Sequence, residues 1–470
     1  MNIKKGILYV FVANGIGLII SLITSFFMPK FLAIETYSNI KLFQLIINYV
    51  GILHLGFSDG MYLRLGGKKI NEIDKKELVS EFNTFKIFQI IINAIVLIIS
   101  IILKNKFLMI VSLSVLPINI INYLRNLYQA TGLYDWYSKF LTLNNLMLFG
   151  INMIFLLIMH IDNAYIYIIG QIIVYYINWI IVETILRLKI FNKVKGHVSI
   201  KYMVDNIKSG ILLMFGNFCT VIFTSIDRIF VKFLLGTIMF AFYSFAVSIE
   251  NLLNVFITPI SVTMYNYICK NNDAEKIKRI KGVLLIFISF LISAAYPAKW
   301  IVFNYLEKYK EAVSLVFILF AGQFFSSIVR CIFNNLYKAE KRQKRYFTII
   351  IIVSILAFIT DFIGYTIYNS NETFAIATLI TSIVWFIIGE KDFKNSRYTM
   401  QGYFFMTISI CIYLYTGLFI DNAIIGFMIY IITIIILMYF LLNKEIKLVI
   451  TEGINLINKI IKNKKKKHTK

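Results

Sequence analysis

Apolar residues in this chain come in long unbroken runs, and the polar residues are gathered between them. Runs of about twenty, enough for a helix to cross a bilayer, lie near 7–28, 38–65, 86–104, 107–127, 140–160, 163–186 and 210–235. They continue near 239–265, 282–304, 312–337, 347–369, 373–390, 403–420 and 422–442. This pattern predicts an all-α integral membrane protein with about fourteen transmembrane helices and short polar connections. Met1 to Gly6 resembles the start of a signal peptide. The apolar run continues to Met28 with no A-x-A cleavage site, so a retained first span is expected.

The runs also repeat. Asn126-Leu127-Tyr128-Gln129-Ala130 recurs as Asn335-Leu336-Tyr337-Lys338-Ala339, each at the end of an apolar run. Lys30-Phe31-Leu32-Ala33 with Tyr37-Ser38 recurs as Lys232-Phe233-Leu234-Leu235 with Tyr243-Ser244. Both echoes match spans six apart, which predicts two six-helix lobes of like orientation, related by a parallel pseudo-two-fold, with substrate bound between them. The expected division is an N-terminal lobe over 1–188, an inter-lobe loop over 189–209 and a C-terminal lobe over 210–398. Two extra helices over 399–442 and a basic tail over 443–470 follow.

Charge orients the spans. One set of connections carries Lys68, Lys69, Lys75 and Lys76, then Arg187, Lys189, Lys193 and Lys195. Lys276, Lys278, Arg279 and Lys281 follow, then Lys341, Arg342, Lys344 and Arg345. The alternate connections are short and poor in cations, with Lys104, Lys106, Lys299, Lys308 and Lys310 as exceptions. Cation-rich loops stay in the cytoplasm, so both termini are expected there. In a soluble chain a net charge of +24 would suggest nucleic acid. Here 59% of residues are hydrophobic, only 15% are charged, and the cations lie where they set topology. No nucleic-acid partner is expected. The tail pairs Ile446, Val449, Ile450, Ile454, Ile457 and Ile461 with lysines and reads as a helix on anionic lipid headgroups.

Cys219, Cys269, Cys331 and Cys411 are scattered through apolar runs with no CxxC, and the four histidines are equally dispersed. No metal site and no cofactor are expected. The outward connections look too short for an enzyme site, and no P-loop, dinucleotide turn or HExxH helix is present, so no catalytic residues are assigned.

Ionisable residues within spans are costly, about 2.5–3.5 kcal/mol each at the bilayer centre on insertion scales. Glu250 and Asp361 are placed near the middle of their spans, and Asp227 beside Arg228 in the outer part of the seventh. These three carboxylates are the ion-coupling candidates, with Glu250 first. Asn251 and Asn254 stand beside it with no basic residue within a turn. Asp59, Arg64, Arg125 and Arg330 lie toward the cytoplasmic side. The in-span amides Asn14, Gln44, Asn48, Asn217 and Gln323 are expected to line a polar cavity. The alternatives stay open. Asp227, Arg228 and Lys232 could form an interhelical ion network, Arg64 and Arg125 could snorkel, and the amides could only join helices.

Pro29-Lys30-Phe31-Leu32, Glu35-Thr36-Tyr37, Leu55-Gly56-Phe57-Ser58-Asp59-Gly60 and Arg64 resemble the first-to-second-span pattern of bacterial polysaccharide flippases. These form the oligosaccharidyl-lipid branch of the multidrug/oligosaccharidyl-lipid/polysaccharide exporter superfamily. Asp227-Arg228, Lys232-Phe233-Leu234 and Tyr243-Ser244-Phe245-Ala246 resemble its seventh-to-eighth-span pattern. The resemblance implies a MATE-like fold and a flippase of the bacterial inner (plasma) membrane that is not an enzyme. Its substrate would be an undecaprenyl-pyrophosphate-linked oligosaccharide, carried to the outer leaflet by alternating access for O-antigen, capsule or a related polymer. A polymerase and glycosyltransferases of the same pathway would be partners. Arg64, Arg125, Arg228 and Arg330 become candidates for steering the anionic head, with Asn14 and Asn217 beside them in the cavity. A drug or metabolite antiporter of the same fold is the competing reading, followed by a polymerase and a structural scaffold.

Overall fold

In the computed structural model, residues 3–192, 194–270, 273–443 and 445–447 are described. The predicted lipid-contacting tail lies almost wholly outside them. Among the described residues every regular element is helical. Thirteen helices are long and apolar enough to cross a membrane, and one bent pair brings the number to fourteen.

The chain forms two compact units, Met1–Ser244 and Phe245–Lys470. The first begins with α1 (Ile3–Phe31). The bent pair follows, α2 (Ile34–His54) and α3 (Phe57–Leu65), meeting at 65°. Then come α4 (Lys75–Ile102), α5 (Lys106–Ala130), α6 (Tyr134–Ile158), α7 (Ala164–Phe191) and α8 (Ile200–Phe223). A short α9 (Ile226–Phe230) widens into a π-turn over Val231–Leu235.

Three expectations are corrected here. The second span is not one straight run. Leu55 and Gly56 both take positive φ, 48° and 83°, which no helix interior accommodates, so the chain turns between α2 and α3. The seventh span ends at Phe223, and Asp227 and Arg228 belong to the separate short helix beyond it. The connection expected over 189–209 is shorter and lies within the first unit, because α7 continues as a π-turn to Phe191 and α8 starts at Ile200.

The core of this unit is aromatic. Phe85 stacks on Tyr123 at 4.6 Å, Phe57 and Phe82 close around the same ring, and all four are fully buried. The turn at Gly56 lays α3 directly on α8. A Cβ on Gly60 would stand 2.0 Å from the Asn206 carbonyl oxygen, and one on Gly210 2.1 Å from that of Gly56. Only glycine permits this backbone-to-backbone approach, a device of helix pairs in lipid.

The second unit takes in most of α10 (Thr237–Cys269) and continues with α11 (Ala274–Tyr305), α12 (Ala312–Ala339) and α13 (Gln343–Ile367). It ends with α14 (Asn371–Asp392), α15 (Met400–Phe419) and α16 (Ala423–Leu441). Within it α12 is the central helix, with 83% of its most apolar stretch buried. By contrast α16 exposes Ile424, Met428, Ile432, Ile435 and Phe440, the face a lipid-contacting helix requires.

Lys299, one of the exceptions among the cation-poor connections, is not a solvated loop charge. It is 4% exposed and donates to the carbonyls of Gly417 (2.9 Å) and Ile420 (2.7 Å). Its charge meets the negative end of α15, where the last carbonyls lack helical partners. Lys281 is likewise buried rather than solvated. It pairs with Glu390 on α14, donates to Ser396 O at 2.7 Å and lies 4.2 Å from the Tyr398 ring centre.

Corresponding helices in the two sequence halves carry the same ties. Asn126 on α5 donates to Ser58 on α3 at 2.9 Å, and Asn335 on α12 donates to the Ser261 carbonyl on α10 at 2.7 Å. Lys86 on α4 pairs with Glu183 on α7 at 3.0 Å, as Lys281 on α11 pairs with Glu390 on α14.

Candidate functional site

An in-span polar cluster in the second unit holds opposite charges apart. It forms where two helices lose regularity. The α-turns of α10 run to Glu250, tighten into a 3-10 turn at Asn251–Leu253 and resume at Asn254. Opposite, α12 widens into a π-turn at Val329–Phe333, which carries Arg330. Such turns free backbone groups for other partners. Here the Arg330 carbonyl accepts from Ser261 Oγ at 2.9 Å.

The side chains form a relay. Gln323 Nε2 donates to Glu250 Oε1 at 2.7 Å, and Gln323 Oε1 accepts from Arg330 Nη2 at 2.6 Å. Arg330 Nη1 donates to Asn254 Oδ1 at 2.7 Å, and Asn254 Nδ2 donates to Asn251 Oδ1 at 2.9 Å. Carboxylate and guanidinium are thus joined through one amide rather than as a contact ion pair. Arg330 Nε is buried and makes no hydrogen bond among the described residues. A guanidinium has five donors, so it retains capacity for an anion. Glu250 stays near the middle of its span, as the sequence placed it.

Asp361 does not. It is buried in α13 but only six residues from the helix end at Ile367, about 9 Å at 1.5 Å per residue. Its neighbour Thr360 meets the Thr381 hydroxyl at 3.1 Å.

The first unit holds the remaining candidates, of which Asp227 and Arg228 meet directly. Arg64 donates to Glu77 at 2.6 Å and to the buried Glu81, and Asn206 donates to the other Glu81 oxygen at 2.6 Å. That arginine ties α3, α4 and α8. Arg125 has no carboxylate partner among the described residues; it lies 5.7 Å from the Tyr137 ring and borders a small void with Tyr128, Phe140 and Asn144. Among the described residues the Arg228 guanidinium donates to the Thr224 carbonyl, at 3.1 Å. Asp227 accepts from the Tyr243 hydroxyl and the Arg228 amide, each at 2.7 Å. Lys232 donates to Thr237 and covers the Phe240 ring.

Asn14 is exposed on α1 and makes no side-chain hydrogen bond among the described residues. Asn217 reaches Asp59 at 3.5 Å. His54 Nδ1 accepts the Gly56 amide, so its protonated Nε2 faces Asp59 at 3.7 Å.

Sequence reasoning missed Glu81 and Glu390. Glu81 precedes the third apolar run, which begins near residue 86. The available signal was Asp74, which caps α4, followed by Leu78, Val79, Phe82 and Phe85 at helical spacing.

No protein-family model matches the sequence, and no curated protein matches it. Solved structures do match. The lipid II flippase MurJ in an inward closed conformation superposes with a TM-score of 0.65 at 16% identity, covering 94% of this chain and 100% of that one. An inward-facing MATE multidrug-resistance transporter gives 0.62 at 13% identity, covering 80% and 94%. The fold is that of MurJ and the MATE transporters. An outward-facing MATE transporter gives 0.50 at 13% identity, covering 84% and 96%. At such identities the MurJ/MATE fold is shared while side chains have diverged, so residue roles rest on the contacts above.

Proposed function

We propose that this chain is a flippase that carries an undecaprenyl-pyrophosphate-linked oligosaccharide from the cytoplasmic to the outer leaflet of a bacterial inner membrane. Transport is by alternating access, both termini are cytoplasmic, and the product feeds surface-polysaccharide assembly by a polymerase and glycosyltransferases. The protein transports and catalyses no covalent step. What supports an anionic cargo is the state of three arginines. Arg125, Arg228 and Arg330 lie within or beside spans, and none pairs with a carboxylate among the described residues. Arginine suits pyrophosphate because its planar fork makes paired, charge-assisted hydrogen bonds. Likeness of shape to a lipid II flippase over nearly the whole chain points the same way. With the cytoplasm negative, an anion moving outward gains about 2.3 kcal/mol per charge per 100 mV. Outward movement therefore needs no obligatory counter-ion, though Glu250 could bind one to reset the carrier.

The second reading, a cation-coupled multidrug or metabolite antiporter, is favoured by the carboxylates Glu250 and Asp227 and by the likeness to MATE transporters. The deciding experiment reconstitutes the full chain in liposomes with a fluorescent undecaprenyl-pyrophosphate oligosaccharide and follows its exposure to an impermeant quencher. Transfer by the wild type, slowed about tenfold or more in Arg330→Gln, is expected on the worth of one charge-assisted contact. Export of a cationic dye with no lipid transfer would replace this reading by the antiporter.

A further inference from the structure

Where α4 begins and α7 ends, the first unit holds an open-sided cavity of about 370 Å³. Its polar lining is Asn83, Arg187 and Lys195, and its apolar wall includes Val79, Phe191 and Val194. Among the described residues no carboxylate lines it. The acid that Arg187 meets, Glu183, is already bonded to Lys86 and Trp179 as well, at 2.7–3.0 Å.

The cavity is built rather than incidental. Its cover is the non-helical segment 194–199, fastened along α4. The His197 amide donates to Ser80 Oγ and the Ser199 amide to Thr84 Oγ1, both at 3.1 Å. Gly196 lies so close to α4 that a Cβ there would be 2.5 Å from the Ser80 nitrogen. Beneath this cover, Arg187 uses Nε and Nη2 on Glu183 and Asn83, while Nη1 makes no hydrogen bond among the described residues. Lys195 is exposed and forms no ion pair among them.

Position selects the ligand. The cavity is where two helices long and apolar enough to cross a membrane end, with cations on one side and an apolar wall on the other. We propose that it holds the phosphate of an anionic phospholipid headgroup, with the glycerol end of the acyl chains against Leu188 and Val194. Basic pockets between spans on the cytoplasmic side bind lipid heads in this way. The inference is independent of the cargo, because neither Arg187 nor Lys195 belongs to the transport candidates.

The test titrates full-length, delipidated protein in micelles with short-chain phosphatidylglycerol, short-chain phosphatidylcholine or inorganic phosphate, and counts bound lipid by native mass spectrometry. Phosphatidylglycerol is expected to bind about tenfold more tightly than phosphatidylcholine, the effect of one charge-assisted contact. Lys195→Gln should remove most of that preference and leave phosphatidylcholine binding unchanged. Arg187→Gln should do the same, but it also breaks the Glu183 contact. The exposed Lys195 variant therefore decides the matter. Equal binding of the two lipids, or wild-type preference in Lys195→Gln, overturns the proposal. Displacement of phosphatidylglycerol by millimolar inorganic phosphate assigns the cavity to a soluble phosphate and overturns the lipid source.

Discussion

Charged side chains in this protein divide by the company they keep. Lys281 and Glu390 are buried together, and Tyr403 and the Tyr398 amide also donate to the carboxylate. Removing one member strands the other, which costs about 3–5 kcal/mol, whereas replacing both by apolar groups is far milder. Lys281→Met should therefore lower thermal stability sharply, and Lys281→Met with Glu390→Leu should recover much of it; additive losses in the double variant would contradict the pairing. Glu250 is different, because its acceptor faces an amide that also holds Arg330. Glu250→Gln keeps the shape of the relay and removes the titrating group, so it should flatten the pH dependence of transport while leaving the fold intact. An unchanged pH profile in that variant ends the case for ion coupling at this position. In sequence, Gln323 and Arg330 were legible as neighbours two helical turns apart. Glu250 is 73 residues from Gln323, and nothing local announced their meeting. Lys281 was misread for a related reason: it falls in a cation-rich stretch, and only tertiary packing turns it inward.

At the scale of elements, the spans were legible because a bilayer imposes a length that a run of apolar residues displays directly. The bend between α2 and α3 was not legible, since Leu55 adopts a left-handed conformation that its side chain does not advertise. Its consequence is the close approach of α3 to α8 at Gly60 and Gly210. Gly60→Val should cost about 1–3 kcal/mol or more through overpacking, seen as a lower melting temperature and loss of monodisperse protein on size exclusion. Gly150 in α6 has open space around its Cα, so Gly150→Ala should be neutral or stabilise by about 0.5–1 kcal/mol. Equal tolerance at both sites would mean that the α3–α8 contact is not tight.

For the molecule as a whole, the two short sequence echoes were fragments of a larger correspondence. Asn126–Ser58 and Asn335–Ser261 join matching helices, and so do Lys86–Glu183 and Lys281–Glu390. The lysine–glutamate ties were hidden because lysine and glutamate occur in every loop, and only their partners make them equivalent. The orientation that the charges imply is directly measurable. With the native cysteines replaced by serine, Lys69→Cys and Lys341→Cys should react with an impermeant maleimide from the inner face only, and Tyr368→Cys from the outer face only. Labelling of all three from one side would overturn the topology. Lys299 carries one further implication for how much of the chain is needed. Its ammonium donates to the carbonyls of Gly417 in α15 and Ile420 just beyond it, and the Tyr430 hydroxyl of α16 closes onto Ser289 of α11 at 2.8 Å. A chain cut after residue 399 would leave a bare ammonium and an open carbonyl inside apolar surroundings. The two helices outside the repeat are thus not removable trim: the twelve-helix remainder would be an unfinished protein, prone to degradation rather than a minimal transporter.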